Sequence, residues 1–153
     1  MGPEVRRFEE QFAAFFGSKY AIMVNSGSSA NLLMTGALFY SKNEDLRLKA
    51  GDEIIVPAVS WSTTYYPLAQ YGLVQKFVDI DRGTLNYDLD ALAEAVTDKT
   101  RAIMIVNLLG NPNDFDRIKE IIGDRKIVLL EDNCESMGRR IHTTDAADDD
   151  IAR

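Results

Sequence analysis

Four polar stretches of this 153-residue chain each follow a short apolar run directly, and each carries side chains able to do chemistry. The first is Ser26-Gly27-Ser28-Ser29-Ala30-Asn31. Its glycine lets a backbone approach closely, and its hydroxyls and free N–H groups stand at a helix start. Such a segment suits an anion, and it equally suits a serine N-cap with a tight turn. The second, Pro57-Ala-Val-Ser60-Trp61-Ser62-Thr63-Thr64, places the single tryptophan between a strand and a helix. An indole there stacks on a flat ligand or covers the sheet edge, and packing is what the residues alone favour. The third, Asn107-Leu108-Leu109-Gly110-Asn111-Pro112-Asn113, needs nothing beyond turn chemistry. The fourth is Glu131-Asp132-Asn133-Cys134-Glu135-Ser136. A carboxylate at a strand end grips a protonated ring nitrogen or a metal, or caps the next helix.

Other chemistries find little support. The single histidine, His142, falls in an unpatterned C-terminal stretch, so no metal-ligand spacing recurs and Cys134 has no imidazole partner. Neither G-x-G-x-x-G nor G-x-x-x-x-G-K-[ST] occurs, which removes the standard dinucleotide and P-loop readings.

The elements that must position these loops can be read from periodicity. Val5, Phe8, Phe12, Phe15 and Phe16 make one apolar stripe along a helix over Pro3–Phe16, ended by Gly17. A strand is expected over Tyr20–Val24, then a helix over Ala30–Tyr40. The pattern repeats as strand Glu53–Val56, helix Ser62–Gln70, strand Leu73–Val78, helix Asp88–Val96, strand Arg101–Val106, helix Asp114–Ile122 and strand Lys126–Leu130. Continuous apolar strands alternating with helices of about ten residues predict a mainly parallel sheet with helices on both faces. The fold class is therefore α/β in three layers, with five strands and five helices. In such a sheet ligands gather beyond the carboxyl ends of the strands, where all four loops start.

Composition bounds the rest. A net charge of −7 gives no broad basic field for nucleic acid or anionic membrane. No run approaches the ~20 apolar residues of a membrane span, and one cysteine makes no internal disulfide, so a cytoplasmic protein is expected. Residues 139–153 lose all periodicity and read as an irregular tail, disordered or out of frame, where a longer protein has been cut. Residues 1–138 form the α/β domain.

Taken in order, Ser-Gly-Ser-Ser-Ala-Asn31, Gly51-Asp52-Glu53-Ile-Ile-Val-Pro57, Phe77-Val-Asp-Ile-Asp81, Lys99-Thr-Arg-Ala-Ile103 and Glu131-Asp132 resemble the DegT/StrS family of nucleotide-sugar aminotransferases. These are pyridoxal 5'-phosphate (PLP) enzymes of the aspartate-aminotransferase fold, and the resemblance covers Met1–Gly138. It implies the first half of the large domain of a fold-type I PLP enzyme. Gly27, Ser28 and Ser29 match the loop that binds the cofactor phosphate, and Trp61 the aromatic that stacks on the pyridine ring. Asp132 matches the carboxylate that pairs with the ring nitrogen, and Glu135 falls where family members usually have His or Gln against the cofactor.

The implied reaction moves an amino group from an amino acid, usually glutamate or glutamine, to a keto-sugar nucleotide for deoxyaminosugar or surface-polysaccharide biosynthesis. The motifs around Asn133-Cys134-Glu135 and Leu109-Gly110-Asn111-Pro112 look closer to the branch that removes the sugar 3-hydroxyl, the 4-keto-6-deoxysugar 3-dehydratases. Trp61 leans toward aminotransferases. The family's Schiff-base lysine lies tens of residues beyond the Glu-Asp motif, and this chain has no lysine after Lys126, so no catalytic residue is assigned. The resemblance further implies a homodimer and exposed apolar surface on this segment. A non-catalytic aminotransferase-like binding or regulatory module is the reading from another class.

Overall fold

The computed structural model describes residues 2–138. The expectation for residues 139–153 lies outside them. Five α-helices and four strands are built from the described residues: α1 Pro3–Phe16, α2 Gly27–Phe39, β1 Glu53–Pro57, α3 Ser62–Gln70, β2 Val74–Val78, α4 Leu89–Ala95, β3 Thr100–Val106, α5 Phe115–Ile122 and β4 Val128–Asp132. A short 3₁₀ turn, Leu108–Gly110, follows β3. The strands run parallel in the order β2-β1-β3-β4.

Alternation along the strands splits the core into two. Ile55, Ile103 and Ile105 face one way and pack with Leu92, Phe115, Ile118 and Ile122 of α4 and α5. Ile54, Val56, Ala102 and Met104 face the other way and pack with Leu68 of α3, and Met34 and Leu38 of α2 join them. Both faces of β1 and β3 are therefore covered, which is why these strands read as unbroken apolar runs. The three-layer parallel α/β fold expected from the sequence is the fold observed.

Two boundaries differ in ways that matter. Tyr20–Val24 is not a strand. A strand needs a ladder partner, and no described segment pairs with it; the Met23 N–H instead donates to the Glu9 carboxylate at 2.8 Å. Tyr20, Ile22 and Met23 stand exposed. The last strand also sits two residues later than expected, because its register runs from Ala102↔Val128 to Val106↔Asp132. Glu131 and Asp132 consequently lie inside β4 rather than in the loop beyond it.

Apolar surface is left uncovered, as the family resemblance implied. The α1 rings touch in series, Phe8–Phe12 at 5.5 Å and Phe12–Phe16 at 4.7 Å, yet only Ala13 of that helix is buried. Gly17 ends α1 in the left-handed region at φ 67°, donating back to the carbonyls of Ala13 and Ala14. At the sheet edge β2 exposes Val74 and Phe77.

This division of the core has a measurable consequence. Ile103→Ala should cost about 2–5 kcal/mol in urea unfolding, since it opens a cavity in a fully buried strand position. Phe15→Ser, at a position 69 % exposed, should change stability by less than about 0.5 kcal/mol.

Candidate functional site

Because the ladder is parallel, β1, β3 and β4 end at the same margin of the sheet, at Pro57, Val106 and Asp132. Asp132 closes β4 and is half-buried. Its Oδ2 accepts the Asn31 side-chain amide at 2.9 Å and the Thr64 hydroxyl at 3.2 Å. Its Oδ1 accepts the Cys134 backbone N–H at 3.2 Å. Asn31 lies in the second turn of α2 and Thr64 in the first turn of α3, so one carboxylate joins two helices to the sheet. The Ser60 hydroxyl donates in turn to the Thr64 hydroxyl at 3.2 Å.

The serine-rich segment is helical from the start. Ser26 is the N-cap, accepting the Ser29 N–H at 3.2 Å, so α2 begins at Gly27, three residues earlier than periodicity indicated. Gly27, Ser28 and Ser29 form its first turn. Among the described residues, the N–H groups of Gly27 and Ser28 have no acceptor, and they point along the positive end of the helix dipole. Nothing in the chain requires glycine at position 27: its φ is not left-handed, and a Cβ would meet no atom within 4 Å.

Trp61 is the N-cap residue of α3 and is 74 % exposed. The packing role favoured from residues alone is therefore wrong.

Glu135 has a different orientation. Its carboxylate accepts the Leu109 N–H at 2.6 Å, clamping the turn after β3. That turn is unusual, with Leu109 and Gly110 both at positive φ, 52° and 78°. It is braced from behind by buried amides. Asn107 donates to Glu131 at 2.7 Å and to Asn133 at 2.8 Å, and accepts from the Asn113 backbone and side chain.

Cys134 sits between the two carboxylates. Burial first, then the charge of Asp132 and a hydrogen bond from the thiol to it, then the charge of Glu135, push its thiol up to about 11. That is the opposite of an activated nucleophile. Among the described residues no group of three or more His, Cys, Asp or Glu could hold a metal, and no helix is long and apolar enough to cross a membrane. A cavity of about 340 Å³ lined by Arg47, Lys49, Asp52 and Arg101 lies at the opposite margin, beside the starts of β1 and β3.

The structure thus joins Asp132 to the N-terminal halves of α2 and α3, the helices that carry Gly27–Ser29 and follow Trp61. Sequence reasoning named Asp132 but missed its partners Asn31 and Thr64. The one available signal was a polar residue on an inward helical position, and only the fold supplies a partner 101 or 68 residues away.

Comparison with known proteins places these observations. A family model described as the DegT/DnrJ/EryC1/StrS aminotransferase family matches residues 1–148. A GDP-4-keto-6-deoxy-D-mannose 3-dehydratase of Escherichia coli O55:H7 is 70 % identical over 138 residues, covering 90 % of this chain and 35 % of the relative. The enzyme of the same name from Yersinia pseudotuberculosis is 62 % identical over 142 residues, covering 93 % and 36 %. A solved structure of the E. coli dehydratase with bound hydrated PLP superposes with a TM-score of 0.89 at 66 % identity, covering 95 % of this chain and 37 % of that one. The chain spans about a third of the length of the curated relatives it matches.

The thiol gives a direct check on the electrostatics of the site. A raised value disfavours the thiolate, so at pH 8 iodoacetamide should alkylate Cys134 roughly a hundredfold more slowly than a thiol titrating at 9.0. The rate should climb with pH through 10 without a plateau. Asp132→Asn should speed the reaction by removing a neighbouring negative charge.

Proposed function

The chain belongs to the DegT/DnrJ/EryC1/StrS aminotransferase family, and from that premise we propose that the polypeptide carrying it is a PLP-dependent 3-dehydratase of GDP-4-keto-6-deoxymannose. The observation that carries this reading is the 70 % identity to the E. coli dehydratase over 138 residues, 90 % of this chain. It favours removal of the 3-hydroxyl over amino transfer to the sugar, the activity that the family's name suggests. The resemblance of the Asn133–Glu135 and Leu109–Pro112 segments to the dehydratase branch points the same way.

The residues present fit the cofactor. Gly27 and Ser28 offer unpaired N–H groups and Ser28 a hydroxyl at the positive end of α2, a donor set for a phosphate dianion. The missing Cβ at position 27 opens onto free space, where such an anion can approach the backbone. Trp61 offers a bare indole face for a flat ring, from which it would keep water. Oδ1 is the oxygen of Asp132 not taken by the two helix donors, and there it would hold a proton on the ring nitrogen. When bound, PLP supplies the electron sink for breaking a bond at the substrate carbon. Glu135 accepts the Leu109 N–H through Oε2 and so shapes the neighbouring turn, and its Oε1 is the oxygen it would offer the cofactor.

Glutamate as amino donor, a nucleotide sugar as substrate, a homodimer and a cytoplasmic setting complete the reading. The uncovered aromatic stripe of α1 supports an α/β domain, residues 1–138, that works against further polypeptide rather than as a sealed independent module.

The test is chemical. The full-length protein that contains this segment, supplied with PLP and glutamate, should convert GDP-4-keto-6-deoxymannose to a product whose sugar lacks the 3-hydroxyl, read by mass spectrometry. A product bearing a new amino group and an intact 3-hydroxyl would return the aminotransferase reading. Asp132→Ala should lower turnover about tenfold to a hundredfold, the worth of a charge-assisted hydrogen bond. The 153-residue chain alone should show no transaminase turnover.

A further inference from the structure

We propose that Asn31 and Thr64 are positioning residues that decide which oxygen of Asp132 meets the cofactor's ring nitrogen, with Ser60 fixing the direction of the Thr64 hydroxyl. This rests on the cofactor reading above. A carboxylate oxygen has about two acceptor positions. Both positions on Oδ2 are filled, by the Asn31 amide at 2.9 Å and the Thr64 hydroxyl at 3.2 Å. Oδ1 accepts the Cys134 N–H, and the only other donor to this carboxylate among the described residues is the weakly donating Cys134 thiol. With Oδ2 taken by two buried donors, Oδ1 is the oxygen that a protonated ring nitrogen takes, a stronger donor than the thiol it would outcompete.

The two donors are built for this and not for packing. Asn31 is 6 % exposed and Thr64 1 %, so each polar group is withdrawn from water and spends its hydrogen on the same oxygen. They arrive from two helices, α2 and α3, which ties one oxygen of the carboxylate to both. Ser60 donates to the Thr64 oxygen, leaving the Thr64 hydrogen free only toward Asp132. A hydroxyl with its acceptor role already satisfied cannot rotate away without losing a bond.

Two measurements on the 153-residue chain test this. Without cofactor, the Asn31 side-chain amide protons should exchange slowly with solvent, and Asp132→Ala should release them. Equal exchange in both proteins overturns the grip, with no cofactor involved. In the second, PLP is titrated while the fluorescence of Trp61, the single tryptophan, is followed. Asn31→Ala and Thr64→Val should weaken PLP about tenfold or more, the usual effect of removing a group that orients a ligand-binding side chain. Thr64→Ser should bind like the unmodified chain. The 1-deaza analogue of PLP, which has carbon in place of the ring nitrogen, should bind all four proteins alike. Equal weakening of PLP and the analogue would make the two residues merely structural and overturn the proposal, as would no weakening of either. Absence of quenching by PLP in the unmodified chain would overturn the cofactor reading itself.

Discussion

One carboxylate holds the functional margin of this domain together. Asp132 stands where the edge strand ends, and its oxygens collect hydrogens from a helix 101 residues away in sequence, from another 68 away and from its own following turn. Each bond is ordinary in length. Their convergence is what counts, because withdrawing the carboxylate would strand two buried donors at once, a cost of about 1–3 kcal/mol for each. The glycine-serine turn of α2 and the indole at the head of α3 keep their places relative to β4 partly through this node.

The node exists only because the sheet is parallel. Ladder pairing fixes Val106 beside Asp132 and Pro57 beside Val78, so every strand delivers its last residue to one margin. Apolar side chains on both faces of β1 and β3 hold that alignment, since a slip of one residue would turn each isoleucine to the opposite layer. Behind the margin, the amides of Asn86, Asn107 and Asn113 tie the loops after β2, β3 and β4 into one buried network. The loops are irregular, but they are not loose.

Much of this was legible beforehand because periodicity reports burial. Helix α3 falls on the expected residues, and the parallel three-layer arrangement follows from β-branched runs that have no wet face. What stayed illegible depends on partners. Tyr20–Val24 has the composition of a strand and lacks a ladder. Trp61 has the composition of a core residue and stands in water. Asp132 could be singled out from its position after an apolar run, whereas Asn31 and Thr64 could not, since a helical asparagine or threonine reads the same with or without a distant carboxylate. Local pattern registers how deeply a residue is buried, and it is silent on what the residue meets.

The open side of β2 has a further consequence. Among the described residues no strand pairs with its outer side, Val74 and Phe77 stand exposed beside it, and the only lysine of the strand, Lys76, is tied back to the Ala95 carbonyl. A strand of this kind recruits others of its kind. The guard against that is long-range repulsion from a net charge of −7, and ordinary physiological salt cuts the reach of such repulsion to roughly 8 Å. The colloidal behaviour of this polypeptide is thus set by ionic strength: dilute buffer keeps copies apart, and saline lets bare sheet margins find one another.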